Sequence, residues 1–447
     1  MKRVAVRSLG CKLNTHEGGI IKELLNEAFV QVPWDAVADY YILNTCAVTA
    51  RAEARARNYI RSAHRRNPEA RILVTGCYAQ TRAADLEKMP EVWAVVGNVE
   101  KESIPKVIDL VESGDPVDRV AVSDIWRERT LEVPLISSYP GLSRPFVKIQ
   151  DGCNEICSFC KIPMARGRNR SSPPGRVLEQ VAVLVADGKR AEIVFAGVHM
   201  GCYGEDLAPP VTLEALIARV LALADTFRIR LSSVEPNHLT EGLVDFLGST
   251  PRVCRHLHLP LQSGDDAVLA RMRRRYTAAE YARKVQQLRA RVPEICLGAD
   301  VIVGFPGETD ASFERTLARL GDLPLAYLHV FPYSRREGTA AAAFRDQVPD
   351  QVKTARGRAL RELSGRKWRS YASSFIGRTM QVVIISESDE EAGDRQATVP
   401  LGMTRCLTDN YIDVLLPEVG LQRGTAATVR ITGMTDGEFA TGELVPG

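Results

Sequence analysis

The sequence lacks the features of a membrane protein and of a small disulfide-stabilised protein. No window holds the roughly 18 consecutive apolar residues that a membrane-spanning helix needs. The first residues, MKRVAVRSLGCKLN, carry charges where a secretory signal peptide has an apolar core. Ten cysteines in 447 residues are too few for a disulfide framework. We therefore expect a cytoplasmic protein with reduced thiols and no membrane partner.

The sequence also lacks a strong excess of charge, internal repeats and low-complexity tracts. Its 58 lysines and arginines face 55 aspartates and glutamates, which gives a formal net charge of +3. This balance neither indicates nor excludes a nucleic-acid partner. Evidence for such a partner therefore has to come from local clusters of basic residues. The length and the 45% hydrophobic content predict two or three globular domains.

Short apolar runs alternate with helical patterns in the first hundred residues and predict a parallel α/β sheet. The runs are VAVRSLGC, YYILNTC, RILVTGC and VWAVVGN. Cys11, Cys46 and Cys77 end the first three runs, and the carboxyl ends of parallel strands meet at one edge of a sheet. We expect these thiols to converge; alternatively, each is a small buried residue at a strand end. The segment SSYPGLS, residues 137–143, is the predicted linker after this domain.

Six further strand candidates, separated by helical patterns, predict a partial (βα)6 barrel in the middle of the chain. They are FVKIQ, EIVFAG, RIRLSS, HLHLPL, ICLGADVIVG and YLHVFPY, two units short of a complete (βα)8 barrel. A basic helical connector over 351–371 and the alternating strands MQVVII, IDVLLP and ATVRITG predict a small C-terminal β-barrel. The predicted fold class is therefore α/β, with a parallel-sheet domain over 1–136, a partial barrel over 137–373 and a small β-barrel over 374–447.

Three cysteines in a C-x3-C-x2-C pattern follow the first strand of the predicted barrel. Cys153, Cys157 and Cys160 supply three thiolates to a four-iron cluster and leave one iron open. An open iron can chelate the amine and carboxylate of S-adenosylmethionine, whose reductive cleavage yields a carbon radical. Zinc is the alternative, but no second C-x2-C or H-x3-H pair exists. Cys202, Cys254, Cys296 and Cys406 are isolated and are predicted to be packing residues.

Motifs along nearly the whole chain resemble the methylthiotransferase family of radical S-adenosylmethionine enzymes. They are LGCKLN, NTCAVT, VTGCYAQ, IQDGCNEICSFCKIPMARGR, LPLQSGDDAVLARMRRRYT, DVIVGFPGET and YLHVFPYS. The resemblance implies an N-terminal domain with an auxiliary [4Fe-4S] cluster, a radical barrel with a second [4Fe-4S] cluster, and a C-terminal TRAM domain that helps to hold RNA. It implies attachment of a methylthio group to an unactivated carbon. One S-adenosylmethionine methylates sulfur at the auxiliary cluster, and another yields the 5′-deoxyadenosyl radical.

The resemblance also implies roles for individual residues. Cys11, Cys46 and Cys77 would bind the auxiliary cluster, and Cys153, Cys157 and Cys160 the radical cluster. The strand-end residues that would contact or shape the S-adenosylmethionine and substrate site are Gly197, Ser233, Glu235, Gln262, Gly304, Pro306 and Gly307. The alternative for these positions is loop geometry, since glycines at strand ends often serve only the turn.

The motifs after the first three cysteines are most similar to the branch of the family that modifies C2 of N6-threonylcarbamoyladenosine beside the tRNA anticodon. The alternatives are isopentenyladenosine in tRNA and an aspartate of a ribosomal protein. Lys161, Met164 and Glu337 depart from the family pattern. The reaction would also need a reducing system for electrons and a sulfur donor as partners.

Basic residues near the predicted site suggest contacts with RNA phosphates. They are Arg166, Arg168, Arg170, Arg273, Arg274 and Arg275. The alternative is a solvated charged surface. The predicted C-terminal barrel has 5 basic and 11 acidic residues over 374–447, which is unfavourable for phosphate binding and leaves the protein substrate open. The alternative from a different functional class is a protein that binds zinc and RNA and catalyses no reaction.

Overall fold

A computed structural model describes residues 1–113, 118–137, 142–385, 399–417 and 420–445. Residues 138–141 of the predicted linker lie outside the described residues. Within the ranges given, no helix combines the length and the apolar character needed to cross a bilayer.

The N-terminal part is a six-stranded sheet in which every pair of neighbouring strands is parallel, as predicted. Its order is β2-β1-β3-β4-β5-β6. The strands are β1 Arg3–Ser8, β2 Val30–Gln31, β3 Tyr40–Thr45, β4 Arg71–Gly76, β5 Ala94–Val96 and β6 Val120–Ala121. The helices are α1 Lys12–Leu25, α2 Ala50–Arg66, α3 Cys77–Thr81, α4 Ala83–Glu87 and α5 Ile104–Glu112. All six residues of the central β3 are buried, which explains its apolar run over residues 40–43, and the buried polar residues at its end, Asn44 and Thr45, make hydrogen bonds.

The middle of the chain forms the predicted partial barrel. Strands β7 and β10–β14 make two parallel three-stranded sheets, β11-β10-β7 and β12-β13-β14, and a parallel bridge between Ser233 and His258 joins them. The strands here are β7 Phe146–Lys148, β8 Gln150–Asp151, β9 Arg170–Ser171, β10 Glu192–Ala196, β11 Arg228–Leu231, β12 His256–His258, β13 Cys296–Val303 and β14 Tyr327–Pro332. The helices are α6 Ile162–Arg166, α7 Pro174–Val185, α8 Leu213–Leu221, α9 Glu241–Ser249, α10 Asp266–Arg271, α11 Ala278–Arg291, α12 Asp310–Asp322 and α13 Asp350–Ser373.

The C-terminal part is a closed five-stranded β-barrel, which confirms the predicted fold of this segment. Its strands are β15 Thr379–Ile385, β16 Met403–Thr408, β17 Asp413–Pro417, β18 Ala426–Met434 and β19 Ala440–Leu444, in the order β15-β16-β17-β19-β18. Strands β16 and β19 were absent from the sequence prediction. The predicted domain boundaries after residues 136 and 373 stay predictions.

Buried arginines attach the C-terminal barrel to the radical barrel. Arg230 donates to the carbonyl oxygens of Thr408 at 2.9 Å and Asp409 at 3.0 Å. Glu192 of β10, which is fully buried, accepts from Arg230 at 2.6 Å, and Arg144 and Arg228 also donate to it. One carboxylate therefore compensates several buried cations beneath this interface.

Candidate functional site

Three thiols converge at the carboxyl edge of the N-terminal sheet. Cys11 precedes α1, Cys46 follows β3, and Cys77 begins α3 directly after β4. A Cβ atom added to Gly10 would lie 2.9 Å from the Cys46 sulfur, so the Cys11 loop passes directly over Cys46. Burial, and then the neighbouring Cys77 and Cys11, raise the pKa of the Cys46 thiol to about 12. The structure thus brings together the three cysteines that lie far apart in sequence.

A buried cation lies beside these thiols. Arg166, which is only 1% exposed, reaches from α6 of the radical barrel and donates to Asn14 Oδ1 at 2.6 Å. Burial alone would lower the pKa of Arg166, but Asp151 and then Cys77 raise it well above its ordinary value. Three thiols beside a fixed positive charge fit a cluster held by thiolates, which carries negative charge.

The second group of thiols occupies one loop between β8 and α6, over residues 152–161, which is called the radical loop below after its predicted cluster. Main-chain N–H groups point at two of its sulfurs: Glu155 donates to Cys153 Sγ and Ile162 donates to Cys160 Sγ, each at 3.4 Å. The guanidinium of Arg274 donates to Cys157 Sγ at 3.3 Å. Hydrogen bonds to sulfur stabilise thiolates and tune iron-sulfur clusters. Because each sulfur has a donor, this loop fits the predicted three-thiolate cluster.

A cavity of about 200 Å³ lies between the two groups of thiols. Cys77 lines it from the N-terminal sheet, and Cys160 lines it from the radical loop. The rest of its wall is formed by Ala47, Val48, Thr49, Phe159, Lys161, Ile162, Ala165, Gln262, Asp300, Ile302, Phe331, Pro332, Tyr333, Ser334 and Arg336. Two potential metal centres on separate domains therefore open into one mostly apolar space.

Four of the predicted cofactor-site residues lie at adjacent strand ends. Gly197 follows β10, and a Cβ atom there would lie 2.9 Å from Gln150 Oε1. Ser233 and Glu235 follow β11, and Glu235 pairs with Arg274, the same arginine that donates to Cys157. Gln262 follows β12 with a φ of 70° and lines the cavity. These positions surround the mouth of the barrel near the radical loop.

The turn after β13 contains the other three predicted cofactor-site residues, and its main-chain groups make hydrogen bonds within the protein. The N–H of Gly304 donates to Glu308 Oε2 at 2.6 Å, and that of Gly307 donates to the Asp346 carbonyl at 2.9 Å. The Pro306 carbonyl accepts from Arg271 at 3.1 Å. These contacts hold the shape of the turn, and the predicted place of Gly304, Pro306 and Gly307 beside the cofactor stays a prediction.

Burial contradicts half of the predicted RNA contacts. Arg166 and Arg170 are 1% and 6% exposed, and the side chain of Arg274 is 6% exposed. Arg166 pairs with Glu17 and Asp151, and Arg274 pairs with Glu235, so these charges are already compensated inside the chain. Arg168, Arg273 and Arg275 are exposed and remain predicted RNA contacts.

Sequence reasoning missed Asp300 as a wall residue of the cavity. Its carboxylate lies 2.9 Å from His258 Nε2 and 3.3 Å from His329 Nδ1. Burial would raise the pKa of Asp300, but His258 and His329 hold it well below its ordinary value. The signal that could have found Asp300 is a carboxylate in the middle of the apolar run ICLGADVIVG, since a partly buried acid in a strand needs a polar partner.

Comparisons with known proteins agree with this arrangement. Residues 3–97 match the "Uncharacterized protein family UPF0004", and residues 147–320 match the "Radical SAM superfamily". The chain is 37% identical to the threonylcarbamoyladenosine tRNA methylthiotransferase MtaB of Bacillus subtilis, over 96% of this chain and 94% of that protein. It is 33% identical to the tRNA-2-methylthio-N(6)-dimethylallyladenosine synthase of Carboxydothermus hydrogenoformans, over 79% and 81% of the two chains.

A solved structure supports the fold. The radical S-adenosylmethionine methyltransferase TsrM from Kitasatospora setae aligns with a TM-score of 0.56 at 14% identity, covering 76% of this chain and 77% of TsrM. At this identity the likeness concerns the architecture alone.

Proposed function

The chain belongs to the tRNA methylthiotransferase family of radical S-adenosylmethionine enzymes, and we propose that it adds a methylthio group to C2 of N6-threonylcarbamoyladenosine in tRNA. The observation that carries this proposal is that Cys77 and Cys160 line the same cavity. A reaction that forms a radical at one centre and delivers sulfur from another requires both centres to reach one substrate atom. The relatives named as threonylcarbamoyladenosine tRNA methylthiotransferases support the choice of nucleoside.

The two groups of cysteines would hold the two clusters. Cys11, Cys46 and Cys77 would hold one [4Fe-4S] cluster, and Cys153, Cys157 and Cys160 the other, each through three thiolates. When bound, the clusters and S-adenosylmethionine supply the electron transfer, radical and sulfur chemistry. The protein's own residues would position the substrate, provide charged groups beside the clusters and exclude water from the cavity.

The residues that line the cavity have two kinds of role, apolar walls and polar contacts. Phe159, Ile302 and Phe331 give the cavity apolar walls, which keep water away from a reactive carbon centre. Gln262 and Asp300 offer an amide and a carboxylate that can hydrogen-bond the edge of an adenine. We propose that this polar edge orients the base while Glu235 and Ser233 contact S-adenosylmethionine.

The setting of the reaction is part of the proposal. We place it in the cytoplasm, where tRNA is modified and thiols are kept reduced. A reducing system would supply the electrons and a separate donor the sulfur. Arg168, Arg273 and Arg275, which are exposed near the radical loop, would contact tRNA phosphates.

Nucleoside mass spectrometry of tRNA tests the substrate. Cells without this gene should lack the 2-methylthio form of threonylcarbamoyladenosine, and the wild-type gene should restore it. A gene carrying Cys153→Ala should fail to restore it. A gene carrying Cys254→Ser should succeed, because Cys254 is a buried cysteine that contacts Glu192 and belongs to neither predicted cluster.

Other outcomes would redirect the proposal. Loss of only the methylthio form of isopentenyladenosine would replace the substrate with that of the dimethylallyladenosine relatives. If both nucleosides were unchanged, the tRNA proposal would be rejected, and methylthiolated aspartate in ribosomal proteins would be measured next.

A further inference from the structure

Two histidines and a cysteine meet beside the mouth of the radical barrel, outside both groups of predicted cluster ligands. His199 and Cys202 lie in the loop after β10, and His238 lies in the short turn after β11. Cys202 Sγ is 3.3 Å from His238 Nε2, and potential ligand atoms of all three side chains lie within 4.8 Å of one another. Glu205 Oε1 is 3.8 Å from the same His238 nitrogen. Three potential ligands therefore lie close together, and Glu205 lies near one of them.

The buried imidazole of His199 has no partner that explains its position. It is 3% exposed, and within the described ranges neither of its ring nitrogens makes a hydrogen bond. Its ring lies edge-on to that of His238, with centroids 4.6 Å apart. An unpaired buried polar group costs about 1–3 kcal/mol. A ligand between the two rings would remove part of this cost.

The donor set suits a particular metal. Zinc binds thiolate at about 2.3 Å and imidazole at about 2.0–2.1 Å in a tetrahedron, so its sulfur and nitrogen ligands lie about 3.5 Å apart. The observed separation of 3.3 Å between Cys202 and His238 is close to that value. One thiolate with two imidazoles matches the preference of Zn²⁺ for sulfur and nitrogen ligands. We propose that His199, Cys202 and His238 bind Zn²⁺, with Glu205 or water as the fourth ligand.

The site would connect two loops that border the predicted S-adenosylmethionine site. The loop with His199 and Cys202 begins at Gly197, and the turn with His238 begins at Glu235. A metal between them fixes the distance between these two walls of the barrel mouth. Zinc does not change oxidation state, so it would act on position and leave the electron chemistry to the clusters.

Metal analysis of the full enzyme tests this site. The chain is purified without oxygen, both clusters are rebuilt, and the protein is dialysed with Zn²⁺ at micromolar concentration. We expect about one zinc per chain beside the cluster iron, with X-ray absorption showing one sulfur near 2.3 Å and two nitrogens near 2.0 Å. Cys202→Ser and His238→Ala should each lose the zinc and keep the iron content of the wild type.

The control is Cys254→Ser, which changes another buried cysteine with a nearby carboxylate, since Cys254 Sγ lies 3.5 Å from Glu192. This variant should keep its zinc. Absence of zinc from the wild type, or zinc retained in both site variants, would overturn the proposal. Loss of iron in Cys202→Ser would also overturn it, since Cys202 would then serve the radical cluster.

Discussion

At the scale of single residues, Arg166 shows why a basic motif is a poor guide to RNA contacts. Its guanidinium lies 2.8 Å from Glu17 Oε1 and 3.1 Å from Asp151 Oδ1. Lys101 and Lys148 also pair with Glu17, so the group joins the N-terminal sheet to the radical barrel through buried charges. The sequence shows only that Arg166 follows the radical cysteines. Its burial depends on residues far away in the chain.

Replacing Arg166 with Met should leave the buried carboxylates of Glu17 and Asp151 with too little positive charge beside them. Removing one partner of a buried ion pair typically costs about 3–5 kcal/mol. We expect a loss of this size in the free energy of unfolding, measured by denaturant titration, together with a lower iron content at the neighbouring auxiliary site. Arg168→Met is the control, because Arg168 is exposed two residues away. Equal stability of the two variants would contradict the role of Arg166.

His16 predicts a pH dependence of stability. It is fully buried, and its Nδ1 lies 2.9 Å from the Phe146 carbonyl oxygen. Burial, and then Lys148, lowers its pKa from 6.5 to about 4. The unfolded chain binds a proton more readily in this window, so stability falls as pH drops from 6.5 towards 4.

The comparison with His16→Gln isolates this effect. When the pH falls from 6.5 to 4, the free energy of unfolding of the wild type should decrease by on the order of 3 kcal/mol more than that of the variant. Urea unfolding at each pH measures this difference. Parallel pH profiles for the two proteins would show that His16 does not titrate with the pKa given above.

The two cysteine groups should be separable by mutation. Cys153→Ala removes a predicted ligand of the radical cluster and should abolish cleavage of S-adenosylmethionine to 5′-deoxyadenosine. Cys77→Ala removes a predicted auxiliary ligand and should keep that cleavage while losing methylthio transfer. Each variant should retain roughly four of about eight irons, since each cluster holds four. Liquid chromatography of products and iron analysis measure both results, and cleavage by Cys153→Ala would reject the assignment.

At the scale of elements, the apolar runs located most of the strands that carry the site. Strands β3 and β4 were visible because they are largely buried and apolar, and β1 was visible from the short apolar run at its centre. The ends of the three strands placed Cys11, Cys46 and Cys77 at one edge. Strands β2 and β6 escaped because they have two residues each. Strand β16, with the sequence MTRCLT, and β19, with ATGEL, escaped because they lack a continuous or regularly alternating apolar pattern.

The cavity itself could not be predicted from local patterns. Its wall combines Val48 of the N-terminal part, Lys161 of the radical loop and Phe331 of β14. Their meeting depends on long-range packing, including the buried pair of Glu53 with Arg336 and the pair of Arg82 with Glu337. Glu337, a departure from the family pattern, thus has a partner in the N-terminal part.

The loop between β16 and β17 should control attachment of the C-terminal barrel. Asp409 accepts from Arg255 Nε at 2.6 Å and from its Nη2 at 3.0 Å. Asp409→Asn should weaken this two-point contact by about 1–2 kcal/mol, because a charged acceptor becomes a neutral amide. Faster proteolysis near residues 374–378 measures detachment. Asp436→Asn, at an exposed acid of the same barrel, should be cleaved at the wild-type rate.

At the scale of the whole molecule, the proposed function depends on a cavity whose wall combines the N-terminal part and the partial barrel. Ala47 is 1% exposed and lines the cavity from the N-terminal side. Ala47→Phe should fill part of it and reduce methylthio transfer at least about ten-fold, equivalent to ~1.4 kcal/mol in the barrier. Cleavage of S-adenosylmethionine without substrate should persist.

A smaller side chain provides the control for this prediction. Ala47→Gly leaves the space open and should transfer methylthio groups within about two-fold of the wild type, a difference of less than ~0.5 kcal/mol. Product yield on purified tRNA measures both variants. Full transfer by Ala47→Phe would show that the substrate base does not use this cavity.

The buried charges around Glu17 also limit how the substrate can arrive. Opening the molecule between its two cysteine-bearing parts would pull this carboxylate away from Arg166 and Lys148, across two ion pairs in a dry interior. A hinge at this boundary would therefore be costly, and we expect the spacing between the two groups of cysteines to be set before any nucleoside binds. Under the proposed function, the target base would flip out of the tRNA and enter a preassembled cavity, so the RNA would carry the conformational change.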